Sequence, residues 1–355
     1  MSRRWWFSAL LALILAAAIQ FAPWPPGWAD AVYLGVTLPF WSALSAPLVG
    51  SVAGSLSSLL LIGLLLALSL ALLAGAKARR LTARGLVVIA ALLALAFPFT
   101  FGLGYHTTPL EAHFAPLVSD DAVAADGAAD RSTSSAAREV TRQLVLLTLQ
   151  ETQPAAASAS ATDPPPLVAS AAACLGDYLS QLREQPPATI PTRIKAVPAG
   201  WLLRIGFAGV ISPWLLEPHV DAALPTSNAL AVALHELAHT AGVAREAEAE
   251  AIGMLAGIDC DDPRVRYAAA LNAARSLAYE LPSAEREAYL AQWPAQAVAA
   301  AATAAAVASE YRSAAATRVA EGVYDAYLSS QGSEGMEDYR RATDLLVLGL
   351  AGSRR

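Results

Sequence analysis

The chain has 355 residues, 55% of them hydrophobic, a net charge of −6 and a mean hydropathy of +0.43. That length suffices for a sizeable core, and the hydropathy is too high for an ordinary soluble enzyme, so part of the chain is expected in a lipid bilayer. Residues 1–104 carry six Lys/Arg against one Asp, and residues 105–355 carry 18 Lys/Arg against 29 Asp/Glu, an acidic balance that excludes nucleic acid as the expected partner.

Three apolar runs open the chain: WWFSALLALILAAAIQF (about 5–21), LSSLLLIGLLLALSLALLAGA (56–76) and GLVVIAALLALAFPFTFGLG (85–104). Each is close to the ~20 residues that a helix needs to cross a bilayer. The first follows the basic start MSRR, and its length favours an uncleaved anchor over a signal peptide. Lys77, Arg79, Arg80 and Arg84 stand between the second and third runs. The positive-inside rule then puts that cluster and the N-terminus in the cytoplasm and residues 105–355 outside it. A fourth apolar stretch, residues 31–50, is interrupted by Pro39 and Pro47 and reads as an interfacial or re-entrant segment.

Beyond Gly104 the pattern is mainly α, with turn-rich breaks at SDDAVAADGAADRSTSS and PAAASASATDPPP. Helical periodicity covers about 136–152, 167–184, 228–241, 245–257, 263–281, 284–331 and 337–350. The alanine-rich part of 284–331 reads as structural packing. The best strand candidate is WLLRIGFAGVISPW, Trp201 to Trp214. Cys174 and Cys260 are the two cysteines, and their number leaves a disulfide between them open.

Within 228–241 lies HELAH, residues 235–239, in a chain of five histidines. Positions i and i+4 share a helix face, so His235 and His239 can reach one Zn2+ while Glu236 addresses its water. Gly242 suits the left-handed residue that ends such a helix. A catalytic zinc takes three protein ligands and keeps a fourth position open. A third histidine in the HExxHxxGxxH pattern would fall on Arg245, which cannot bind a cation, so the third ligand is expected to be a glutamate. Glu246 and Glu250 share one face of the following helix, and Glu248 does not. Glu246 is the first choice and Glu250 the alternative. Tyr267 and His219 are candidate donors to a developing oxyanion, and Glu217 is a candidate to orient a ligand histidine.

Together, FGLGYHTTPL, GFAGVISPWLLEP, HELAHTAGVAREAEAEA, RYAAAL and YDAYLSSQGSEGMEDYRRATDLLV, behind three N-terminal spans, resemble the bacterial membrane proteins of domain-of-unknown-function family 3810, which are similar to gluzincin-type metallopeptidases. The resemblance implies a zincin-like domain at 105–355, with His235 and His239 as zinc ligands, Glu236 as the catalytic glutamate and Glu246 as the first acid of the E-x-E-A element. The chain departs from the family where Glu250 replaces Asn or Asp and Thr240 replaces Gln. The expected function is a membrane-anchored zinc peptidase acting on a protein or peptide outside the cytoplasmic membrane. The alternative is a non-catalytic envelope protein whose outer domain binds a partner.

Overall fold

The computed structural model describes residues 4–25, 27–73, 76–114, 135–158, 164–184, 189–332 and 338–352. The start of MSRR, all but the last residue of the first turn-rich break and residues 159–163 of the second lie outside them. The architecture is mainly helical, with one small three-stranded sheet.

Four apolar helical segments come first. They are α1 (Arg4–Phe21), a π-turn (Asp30–Thr37) running into α2 (Leu38–Ser51), α3 (Leu56–Leu73) and α4 (Ala76–Thr100). Three stretches, Asp30–Ser51, Leu56–Leu73 and Arg79–Thr100, are long and apolar enough to cross a membrane, and the apolar part of α1, Trp6–Phe21, is shorter. Leu60, Leu66 and Leu70 of α3 are exposed. A helix that presents such residues outward on every side is suited to a hydrocarbon surrounding.

The prolines do not interrupt residues 31–50. Pro39 lies just after the junction of the π-turn with α2, and the helical backbone continues through both Pro39 and Pro47. The segment nevertheless runs along the rest of the chain. At its start, Asp30 accepts hydrogen bonds from the Thr108 amide (3.0 Å) and hydroxyl (2.5 Å). Midway, Trp41 donates to the Trp214 carbonyl at 2.8 Å. At its end, Lys195 donates to the carbonyls of Val49 (2.8 Å) and Val52 (2.5 Å). A cation there satisfies the orphan carbonyls and complements the negative end of the helix dipole.

The sheet holds the other side of that turn. Its strands are β1 (Lys195–Val197), β2 (Gly209–Ser212) and β3 (Glu217–Asp221), in the order β1-β3-β2, with β1 parallel and β2 antiparallel to β3. Glu217 accepts from the amides of Leu56 (2.9 Å) and Ser57 (2.7 Å) and so caps the N-terminus of α3. Burial alone would raise its pKa, but hydrogen bonds from His219, Ser57 and Leu56 bring it down to about 2.

Of the expected strand at 201–214, residues 209–212 alone are extended. The buried Asp221 carboxylate gathers the amides of Gly200 (2.7 Å), Leu202 (2.9 Å) and Leu203 (3.2 Å), curling 200–205 into a turn. Residues 284–331 are likewise three helices, α11 (Ser283–Leu290), α12 (Ala295–Tyr311) and α13 (Ala314–Ser330). Pro294 enforces an extended conformation before α12, and Ser313 leaves helical geometry to donate its amide to Arg204 O at 3.1 Å.

The remaining helices are α5 (Leu110–Phe114), α6 (Ser135–Ser158), α7 (Pro164–Arg183), α8 (Thr226–Thr240), α9 (Glu246–Ile258), α10 (Pro263–Tyr279) and α14 (Asp338–Gly352). Helices α8, α9 and α10 form the centre, where Leu234, Leu237, Ile252 and Leu255 are fully buried. Cys174 on α7 and Cys260 after α9 form a disulfide, with Cα atoms 5.3 Å apart and a sequence separation of 86. Closing a loop of that size restricts the unfolded chain by about 4–5 kcal/mol in the loop-entropy picture.

Candidate metal centre

The centre starts from the way α8 ends. Ala241 leaves the helix and Gly242 takes φ +86°, while the amides of Gly242 and Val243 return to the carbonyls of His239 and Ala238, both at 3.1 Å. This is a Schellman turn, and it needs a glycine at the left-handed position. A Cβ on Gly242 would also lie 2.6 Å from a Leu38 methyl. The turn swings the Val243 carbonyl back over α8, where it accepts from His239 Nδ1 at 2.7 Å. A carbonyl only accepts, so Nδ1 carries the proton and Nε2 is left with its lone pair.

His235 is fixed in the same way by a different group. Its Nδ1 contacts Glu250 Oε2 at 2.9 Å, and Asn272 donates to Glu250 Oε1 at 2.7 Å. The two Nε2 atoms then face each other at 3.1 Å. Glu246, at the first position of α9, brings Oε2 to 3.2 Å from His235 Nε2 and Oε1 to 3.5 Å from His239 Nε2. A tetrahedral site with bonds of about 2.0–2.1 Å has edges of about 3.3–3.4 Å. His235, His239 and Glu246 each offer one ligand atom, all within 4.8 Å of one another, a donor set of the chemical type that binds zinc. Two imidazole lone pairs and a carboxylate aimed at one point repel unless a proton or a cation lies among them.

Glu250 thus orients His235 from outside the ligand triangle. Glu248 turns away to the Leu110 amide and to Arg245, and Arg245 donates to the carbonyls of Tyr105 (2.7 Å) and Thr107 (2.9 Å). Glu236 is buried beside the ligands, and its Oε2 has no hydrogen-bond partner among the described residues. Burial pushes its pKa up to about 7 against the opposing pull of His235 and His239. Strand β2 comes close enough to touch this glutamate because residue 209 is glycine. A Cβ there would stand 2.6 Å from Glu236 Oε1.

The other sequence-chosen residues lie elsewhere. Tyr267 lines a separate cavity of about 180 Å³, on the face of α10 turned from the metal centre. His219 bonds Ser55 and the Val210 carbonyl. Glu217 caps α3 and holds neither His235 nor His239. The hydroxyl that does reach the centre belongs to Tyr324 on α13, which donates to Glu246 Oε1 at 2.5 Å. Tyr324 stacks on Tyr327, whose hydroxyl accepts from Tyr105 at 3.3 Å. The paired tyrosines of YDAY, three apart and so on one helix face, were the available signal.

One cavity of about 1000 Å³ joins these groups. His235, Glu236, His239, Glu246 and Tyr324 line it together with residues of β2 and with apolar side chains of α1 and α4.

In the metal-free chain, burial by itself would lower the His235 pKa, but Glu246 and Glu250 outweigh it and hold the imidazole well above its ordinary value. A zinc ion bound through His235 would have to displace that proton. Zinc affinity is therefore expected to rise with pH, by up to about tenfold per unit while one proton is released, and to weaken on acidification. Competition against a zinc-binding dye between about pH 6 and pH 8 measures the slope, and a flat profile would remove His235 from the ligand set.

No curated protein and no solved structure matches the chain. The family model for "Protein of unknown function (DUF3810)" matches residues 33–347, most of the sequence, and the protein belongs to that family.

Proposed function

We propose that this protein is a membrane-anchored, gluzincin-like zinc peptidase that hydrolyses an amide bond in a protein or peptide outside the cytoplasmic membrane. The observation that carries the reading is Glu236: a buried carboxylate with one oxygen unpartnered among the described residues, next to three converging candidate ligand atoms. A site that used its metal for structure alone would have no need of a base in that position.

His235, His239 and Glu246 hold the metal, and Glu250 and the Val243 carbonyl keep both imidazoles in the required tautomer. Bound there, zinc supplies Lewis-acid activation of a water molecule and of the amide carbonyl. Glu236 Oε2 accepts the proton of the attacking water, and the same carboxyl delivers it to the departing amine. A pKa near neutrality suits both transfers, and a nearby cation favours the ionised form that begins the cycle. The Tyr324 hydroxyl, which donates to Glu246, is a donor placed to turn toward the carbonyl oxygen as negative charge develops there.

Two observations support the outward orientation. A disulfide such as Cys174–Cys260 belongs to an oxidising compartment. The basic residues Lys77, Arg79, Arg80 and Arg84 lie in the opening turns of α4, at the end remote from the metal centre.

The test uses the full chain purified in detergent. It should retain about one zinc per chain and cleave a quenched fluorescent peptide library, with activity removed by a chelator and restored by added zinc. A chain that holds no zinc, or whose cleavage persists after the metal has been stripped, overturns the proposal.

A further inference from the structure

The cavity beside the candidate metal centre also extends as a limb along α1 and α4. Leu13 and Ala17 of α1 and Ala90, Leu93, Ala94 and Phe97 of α4 line it. Pro98 is the lining residue nearest the end of α4 and Ala90 the furthest from it. Eight residues at 1.5 Å each make the limb about 12 Å deep along α4. It therefore follows about the outer half of a helix long and apolar enough to cross a membrane. Trp214 marks the same depth, because its indole N–H donates to the Leu93 carbonyl at 2.9 Å.

The shape and lining of the limb select its occupant. A helix of about 10 Å diameter and 12 Å length fills on the order of 900 Å³. The whole cavity, metal centre included, is about 1000 Å³. An extended peptide could pair with the edge strand β2 near Glu236, but along α1 and α4 its N–H and C=O groups would lie unpaired against leucine, alanine and phenylalanine, which is costly. A fatty acyl chain has neither difficulty. It is narrow, it makes no polar demand, and the bilayer beside α1 and α4 is where such chains reside.

We infer that the substrate is an amide bearing a fatty acyl chain, with the chain seated along the face that α1 and α4 share and the amide reaching Glu236 and the His235, His239 and Glu246 cluster. This rests on the hydrolase reading for the reaction and on the limb for the chain. Hydrolysis adds one water across the C–N bond and releases a carboxylic acid and an amine. The acyl tail takes no part in bond making and acts through binding.

A binding experiment separates the inference from the hydrolase reading. The full-length Glu236→Gln chain in nanodiscs is titrated with a fluorescent pentapeptide carrying N-acyl groups of increasing length, and the same series is repeated with Ala94→Phe, which fills the limb, and Leu13→Ala, which deepens it. Zinc content and melting temperature verify that each variant is folded. Affinity is expected to rise by about fourfold per methylene until the limb is full and then to level off. Ala94→Phe should flatten the series at short chains, and Leu13→Ala should move the plateau to longer ones. Identical series in all three chains would mean simple partition into the bilayer and would overturn the inference. So would tighter binding by an unacylated peptide with an apolar helical segment. Chain-length-dependent binding without any hydrolysis by the wild-type protein would leave the acyl site standing and sink the peptidase alone.

Discussion

Glu246→Gln is expected to strip zinc from the protein, whereas Glu250→Gln is expected to keep it. Both carboxylates lie on one face of α9, four residues apart, and both touch His235. They meet different nitrogens. Glu246 stands 3.2 Å from Nε2, the nitrogen turned to the point shared with His239, and Glu250 stands 2.9 Å from Nδ1 on the far side of the ring. A neutral amide at 246 removes the one anionic ligand, and zinc affinity should fall by more than the roughly 10–100-fold typical of an outer partner. At 250 an amide oxygen can still accept from Nδ1, so the loss should stay within that range or below it. Zinc content after dialysis against a weak chelator, with both variants beside wild type, decides the matter. Loss in Glu250→Gln alone would make Glu250 the ligand, and equal retention in both would remove the glutamate from the site.

Glu236→Gln should do the reverse: full zinc, an unchanged melting temperature and cleavage slower by about 100 to 10,000-fold. The side chain is buried, and its Oε2 bonds to nothing among the described residues, so replacing that oxygen by an amide nitrogen breaks no native contact. The size is nearly the same, which matters because Gly209 leaves so little room on the other oxygen. What disappears is the capacity to take a proton. Wild-type turnover by this variant would mean that Glu236 is not the base. Loss of zinc along with activity would mean that the carboxylate belongs to the metal shell.

The parts of this site legible in the sequence are those fixed within one helix. His235, Glu236 and His239 follow from the 3.6-residue period alone, and Gly242 from the need for a left-handed residue after the last turn. The helical state of the apolar runs near the N-terminus follows from length and composition, although the first is shorter than spanning length, the third gives way after Thr100 to a 3-10 turn, and Asp30–Ser51 is long enough in its place. Even there the local rules failed at two places. Pro39 and Pro47 read as breaks, yet each removes a single backbone donor and the helix runs on through both.

Everything that depended on how one element lies against another was decided by the tertiary structure. Glu246 and Glu250 are equivalent on a helical wheel and are told apart by the Schellman turn, which sets where α9 starts relative to α8. Tyr267 and Tyr324 are both tyrosines on helices, and packing turns one toward a small separate cavity and the other to Glu246. Glu217, close in sequence to the metal helix, is drawn away by the free amides at the start of α3. Cys174 and Cys260 pair because α7 and the end of α9 meet. The sequence alone determined which residues share a helix face, because helical period is a property of the local backbone. Packing decided which faces meet, because helix crossings depend on the volumes of side chains far apart in the chain.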